Sequence, residues 1–212
     1  MDDLIFKDLG LQDYSLMQQA MKQFTKDRRT KTKDEIWFCE HPSVFTYGKF
    51  ADLSHLLEAK AIPVVATDRG GQITYHGPGQ LMIYTLIDLR RRKLSIRSWV
   101  HHLEAWMVKI LEHYDLVGQR IAGRPGIYLG DQKIASIGLR VTRGCTYHGA
   151  ALNVDMDLSP FQQINPCGYP NQAMTDLRRA LNEKSSKPYS REKVIQVCMD
   201  AFNEGLRAEA HL

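Results

Sequence analysis

The sequence has no apolar run long enough to cross a bilayer. Its most hydrophobic strand-like stretch, Leu81–Ile87, stops at Asp88, far short of the roughly 20 residues a helical span needs. The N-terminus, Met1-Asp2-Asp3-Leu4, is acidic and has no basic region followed by an apolar stretch, so no secretory leader is expected and the protein is placed in the cytoplasm, without a membrane partner. Four cysteines (Cys39, Cys145, Cys167 and Cys198) are scattered without close pairs, which excludes a disulfide-stapled scaffold and the usual zinc spacings and leaves reduced thiols. Eight prolines and 15 glycines are too few for a low-complexity chain. Charge is nearly balanced, 28 Lys plus Arg against 24 Asp plus Glu, so nothing demands a nucleic-acid partner, and an acidic protein partner fits equally well. Repeats and Pro/Gly/Ser-rich linkers are missing too, so the 212 residues are expected to form one domain.

What is present is a mixed set of elements. Tyr14, Met17, Met21 and Phe24 lie near helical spacing over Tyr14–Lys26, and Trp99, Leu103, Trp106, Ile110 and Tyr114 mark a longer amphipathic helix from Ser95 or Ser98 to Tyr114. A third helix runs from Ser190 to about Ala208, with Val194, Val197, Cys198, Ala201, Phe202 and Leu206 as its apolar stripe. Glu35–Glu40, Ile62–Thr67, Gln80–Ile87, Ile127–Leu129, Gln132–Val141 and Thr146–Val154 carry strand character, and Gly130-Asp131 suits a tight hairpin turn. Helices spaced around a strand-rich middle predict an α+β fold, a mixed or antiparallel sheet backed by helices.

Three segments carry candidate chemistry. Arg69–Gln80 places Gly70, Gly71, Gly77 and Gly79 among polar side chains between two apolar strands, where glycine lets backbone approach a ligand or supplies positive φ at a turn. The bland alternative is a strand–turn–strand connection. The segment is neither a Walker loop nor a dinucleotide fingerprint. Lys133 follows the predicted hairpin turn, and strict alternation aligns it with Ala135, Ile137, Leu139 and Val141 on an apolar face. A lysine there either extends its head into water or serves as a base, because desolvation favours the neutral amine. Ser136 and Gly138 alternate with that face and leave space beside the strand. Cys167 lies between Pro166 and Gly168 in a loop, whereas Cys39 and Cys198 sit at core-like positions. Cys145, three residues before His148, is the competing thiol. The runs Arg28–Lys33 and Arg90–Lys93 are solvated edges in the bland reading and a docking surface for an acidic partner in the functional one.

Together these segments resemble the lipoyl(octanoyl) transferases of protein lipoylation. The resemblance rests on RGGQITYHGPGQ (Arg69–Gln80), Gly123-Arg124-Pro125-Gly126, KIASIGLRV (Lys133–Val141), HGAALNV (His148–Val154) and NPCG (Asn165–Gly168), in that order. It implies the α/β fold shared with biotin and lipoate ligases. It also implies transfer of an octanoyl group from acyl carrier protein to a lysine of lipoyl domains, those of the 2-oxoacid dehydrogenases and the glycine cleavage H protein, with no cofactor and no metal. The family's catalytic cysteine and lysine match Cys167 and Lys133. Its acyl pocket matches Arg69, Gly70, Gly71, Gln72, Ile73, Thr74, Tyr75 and His76, then Ser136, Ile137 and Gly138, and finally Gly149, Ala150 and Ala151.

Overall fold

The computed structural model describes residues 4–59, 61–184 and 189–209; Met1–Asp3 and the side chain of Leu206 lie outside what it describes. Seven strands form the main sheet. These are β1 (Leu4–Leu11), β2 (Asp34–Glu40), β6 (Gln80–Leu86), β7 (Gln119–Ile121), β8 (Arg124–Leu129), β9 (Gln132–Thr142) and β10 (Cys145–Asn153), in the order β1-β2-β6-β10-β9-β8-β7. Only β1 and β2 run parallel; the other pairs are antiparallel. The sheet is mixed, as the element pattern predicts. A small second sheet joins β3 (Val44–Tyr47), β4 (Val64–Ala66) and β5 (Thr74–His76). With three or four residues each, β3 and β5 are too short to show a period, so β5 hides inside the glycine-rich segment. The edge strand β1 is half-buried and mixed in polarity, and it too escaped the pattern.

The helices lie on both sides of the sheet. On one face Met17 and Met21 of α1 (Tyr14–Asp27) pack against Trp37, Met82 and Tyr84. Asp13 caps this helix by accepting from Leu16 N–H at 3.0 Å. On the other face the stripe of α2 (Ile96–His113), which Ser95 caps at Ser98 N–H, joins α3 (Leu177–Lys184) and α4 (Arg191–Glu209) over Ile36, Phe38, Leu81 and Ile83. Trp106 and Phe202 meet edge to face at 4.4 Å, and a Cβ at Gly205 would lie 1.9 Å from Trp106 Nε1. That contact explains a glycine within a helix, despite its cost of about 1 kcal/mol.

The basic runs turn out to be partly structural. Asp34 is fully buried and receives hydrogen bonds from Arg28, from Arg91 at 2.5 Å, from Arg92 at 2.8 Å and from the Asp88 amide at 2.9 Å. Arg90 turns to Asp88. Four of the guanidiniums in these runs are therefore paired within the chain, rather than forming a freely solvated edge.

Candidate active site

The fold brings Lys133 and Cys167 together. Cys167 sits in a single turn of 3-10 helix, Pro166–Gly168, with its backbone at φ +57°. A non-glycine residue in this left-handed region carries strain, a feature that clusters at functional sites. The turn is tied down by Cys167 N–H to Ile73 O (3.3 Å), Gly168 N–H to Asn165 O (3.0 Å) and Asn165 N–H to His55 O (2.8 Å). Lys133 is 1% exposed. Its ammonium donates to Pro125 O at 2.6 Å and to Cys167 Sγ at 2.9 Å, over the face of Tyr128 at 5.7 Å. Burial pushes the Tyr128 hydroxyl up to about 12, and the neighbouring Cys167 adds to the shift.

One expectation about Lys133 needs correction. It does not share a face with Ala135, Ile137, Leu139 and Val141. Tyr128 pairs with Lys133 but Ile127 pairs with Ala135, so β9 carries an extra residue at a bulge. The shift places Lys133 with Ser136 and Gly138, while Ile134, Ala135, Ile137, Leu139 and Val141 turn to the main core. Gly126, at φ +117°, makes the space: a Cβ there would lie 2.5 Å from Lys133 Cε and 2.4 Å from Ala135 O.

Cys167 opens on a cavity of about 400 Å³, within the range of small-ligand pockets. Its floor is a patch of small residues on adjacent strands, Gly138 opposite Gly149 and Ser136 opposite Ala151, bordered on β6 by Tyr84 and Met82. No side chain fits at Gly149, because a Cβ would meet Ile83 O at 2.0 Å. Ile137 and Ala150 pack on the main core and also border the cavity. Across from the floor runs the glycine-rich segment: Arg69, Gly70, Gly71, Gln72, Thr74 and His76 line the cavity. Tyr75 on β5 and Ile73 just before that strand, which alternate with them, belong to a satellite core with Phe45 and Phe161. Ile73 instead serves the cysteine turn through its carbonyl.

Arg69, His76 and His148 border the cavity as buried, hydrogen-bonded side chains, although Arg69 Nε has no partner among the described residues. Arg69 donates to Thr46 O, Thr46 Oγ1 and Gly70 O at 2.8–3.0 Å. His76 bonds Gln80 (2.7 Å) and Thr46 (3.1 Å) and stacks on Tyr14. His148 bonds Asp68 at 3.0 Å. Desolvation holds His41, His76 and His148 below the ordinary histidine value, His76 well below it, and these rings sit neutral near pH 7. Burial opposes ionisation of Asp68, yet hydrogen bonds from His148 and Tyr147 keep its carboxyl well below the usual range.

The other thiols are different. Burial pushes Cys39, Cys198 and Cys145 upward, while Cys167 is the half-buried one in contact with an amine. Tyr14, Met82, Tyr84, Ile96, Val100 and Tyr169 border the cavity without having been picked out from the sequence. They come from four distant segments, and no local signal marks them.

The chain is similar to known proteins over most of its length. A family model described as the lipoyl protein ligase A/B catalytic domain matches residues 13–203. The octanoyltransferase of Nitrosococcus oceani is 52% identical over 178 residues, 84% of this chain and 80% of that one. That of Vibrio cholerae (El Tor Inaba) is 47% identical over 212 residues, 95% and 98% of the two chains. Among solved structures, the bi-partite lipoate protein ligase of Thermoplasma acidophilum superposes with a TM-score of 0.74 at 17% identity, covering 97% of this chain and 84% of that one. Lipoate-protein ligase A bound with ATP gives 0.70 at 16%, covering 96% and 85%. With a family match across most of its length and octanoyltransferase relatives near half-identity, the chain belongs to the lipoyl protein ligase A/B catalytic-domain family, among its octanoyltransferases.

Proposed function

We propose that the protein transfers an octanoyl group from the thioester of acyl carrier protein to a lysine of lipoyl domains, those of the 2-oxoacid dehydrogenases and the glycine cleavage H protein, through a thioester on Cys167. The observation that carries the reading is the 2.9 Å contact between Lys133 Nζ and Cys167 Sγ at the cavity. An ammonium beside the sulfur stabilises the thiolate, which is the nucleophilic form. The cavity floor of Ser136, Gly138, Gly149 and Ala151 leaves room for a medium-length acyl chain beside that sulfur.

In the first step the Cys167 thiolate attacks the carbonyl carbon of the octanoyl thioester. The donor's carbon–sulfur bond breaks, and the carrier leaves as a thiolate that takes up a proton. In the second step the neutral amine of the acceptor lysine attacks the acyl-enzyme, the amide bond forms, and the Cys167 sulfur is released. Lys133 in its neutral form accepts the proton that the amine loses. Overall, one thioester and one protonated lysine give one thiol, one amide and one proton. Exchange between thioesters is nearly neutral and formation of the amide is downhill, so no nucleotide is needed. The reaction requires a free thiol at Cys167, which fits the reducing cytoplasm.

Intact mass after mixing with octanoyl carrier protein tests the reading. A gain of one octanoyl group, absent in Cys167→Ser and removed by hydroxylamine, is expected. Turnover only with free octanoate and ATP would replace it with ligase chemistry, and release of octanoate without an acceptor would replace it with hydrolysis.

A further inference from the structure

The two reacting groups meet from separate parts of the chain, and a contact outside the pair fastens those parts together. Lys133 is held by Pro125 O on β8. The residue before Pro125 is Arg124, whose guanidinium lies over the ring of Tyr169 at 5.2 Å. The Tyr169 hydroxyl donates to Gly123 O, one residue further back. Tyr169 itself stands two residues after Cys167, in the loop that carries the sulfur. Tyr169 and Pro125 both border the cavity, while Arg124 is exposed. The strand that anchors the ammonium and the loop that carries the thiol are thus clasped by an aromatic ring, a guanidinium and a carbonyl.

The loop needs such a hold. Cys167 occupies the left-handed region at φ +57°, and Gly168 follows at φ +82°. A non-glycine residue persists in that conformation only where its surroundings over-determine it. The turn is bonded within itself and to Ile73 and His55, and the chain beyond Tyr169 is tied to Lys133 at Ala173 and Thr175. None of these bonds runs from the turn to β8. We propose that Tyr169, gripped by Arg124 and Gly123, is a positioning residue that keeps the Cys167 sulfur against the Lys133 ammonium. The proposal rests on the reading of Cys167 and Lys133 as the reacting pair.

The test is alkylation of Cys167 by iodoacetamide in the full-length protein, followed by peptide mass mapping at pH 7 and at pH 10. The variants are Tyr169→Ala, Arg124→Met and Arg124→Lys, with Lys133→Met as the reference for loss of the ammonium. At pH 7 Tyr169→Ala and Arg124→Met are expected to slow alkylation about tenfold, the scale of one lost charge-assisted hydrogen bond. At pH 10 the ammonium is no longer needed to form thiolate, and both variants should match the parent. Arg124→Lys keeps a cation over the ring and should stay within about twofold. Formation of the octanoyl-enzyme should fall in parallel through kcat, with KM for the donor little changed.

Parent-like alkylation at pH 7 in Tyr169→Ala, with Lys133→Met slowed, overturns the clasp and leaves the pair standing. Parent-like alkylation in Lys133→Met overturns the pair itself. A change of equal size at both pH values, in either direction, means that Tyr169 only controls access, and this also overturns the proposal. Should Tyr169→Ala fail to fold, Arg124→Met alters an exposed side chain and reads the same distance.

Discussion

Adding one methyl group at Gly126 tests the placement of Lys133 without replacing either reacting side chain. The added Cβ would lie 2.5 Å from Lys133 Cε, 3.1 Å from its Nζ and 2.4 Å from Ala135 O. Carbon atoms rest at about 3.5–4.0 Å, so the lysine stem must retreat by roughly 1 Å, and the amine moves with it, away from the sulfur 2.9 Å away. A misplacement of about 1 Å costs on the order of 100-fold in rate. Alanine at φ +117° also carries backbone strain of about 1–3 kcal/mol, and a control must separate the two effects. Gly130→Ala supplies it, since Gly130 has φ +60° and a Cβ there would meet nothing within 4 Å. Both variants should lose stability in urea titration. Only Gly126→Ala should slow octanoyl-enzyme formation by about 100-fold, followed by quenched-flow mass spectrometry. Rates within a few-fold of each other in the two variants would refute the assignment of Gly126 as the space for Lys133.

Lys133→Arg should keep a positive charge but lose most amide formation, because a guanidinium cannot take the proton; near-normal transfer to a lipoyl domain would remove Lys133 from that role. Cys145→Ala should acylate at the parent rate, since that sulfur is buried and lies away from the cavity, and loss of the octanoyl adduct would move the nucleophile there. Asp34→Asn should destabilise the fold by about 3–5 kcal/mol, because guanidiniums converging on a buried carboxylate are left uncompensated; an unchanged urea midpoint would contradict this. Stability should fall with acid. His41, His76 and His148 are held below their unfolded value, so below about pH 6.5 the unfolded chain binds more protons and unfolding becomes easier by roughly 1.4 kcal/mol per pH unit for each ring that stays neutral. A stability flat between pH 6.5 and pH 5 in urea titrations would show that these rings protonate within the fold.

Periodicity made the long elements legible. The stripes of Trp99, Leu103 and Trp106 and of Val194, Cys198 and Phe202 do face the core, and Gly130-Asp131 does separate β8 from β9. Short strands left no such trace, so β5 was hidden among glycines and β7 was not seen at all. The loop position of Cys167 was legible because proline and glycine on either side of a thiol mark an irregular turn. The surroundings of Cys167 were not, because His55, Ile73 and Lys133 reach its turn from three different segments.

The chain by itself determined which residue types were on offer: a thiol in a turn, a lysine after a hairpin, and small residues at alternate positions of two strands. Those features follow from local backbone preference and side-chain period, which act over a few residues. Tertiary structure decided what met what. A single extra residue in β9 moved Lys133 off the apolar face and toward Cys167, and the same folding drew three arginines of the basic runs onto Asp34. Strand register and long-range ion pairing are settled only when distant segments pack, because burial of a charge is tolerable only beside its partner.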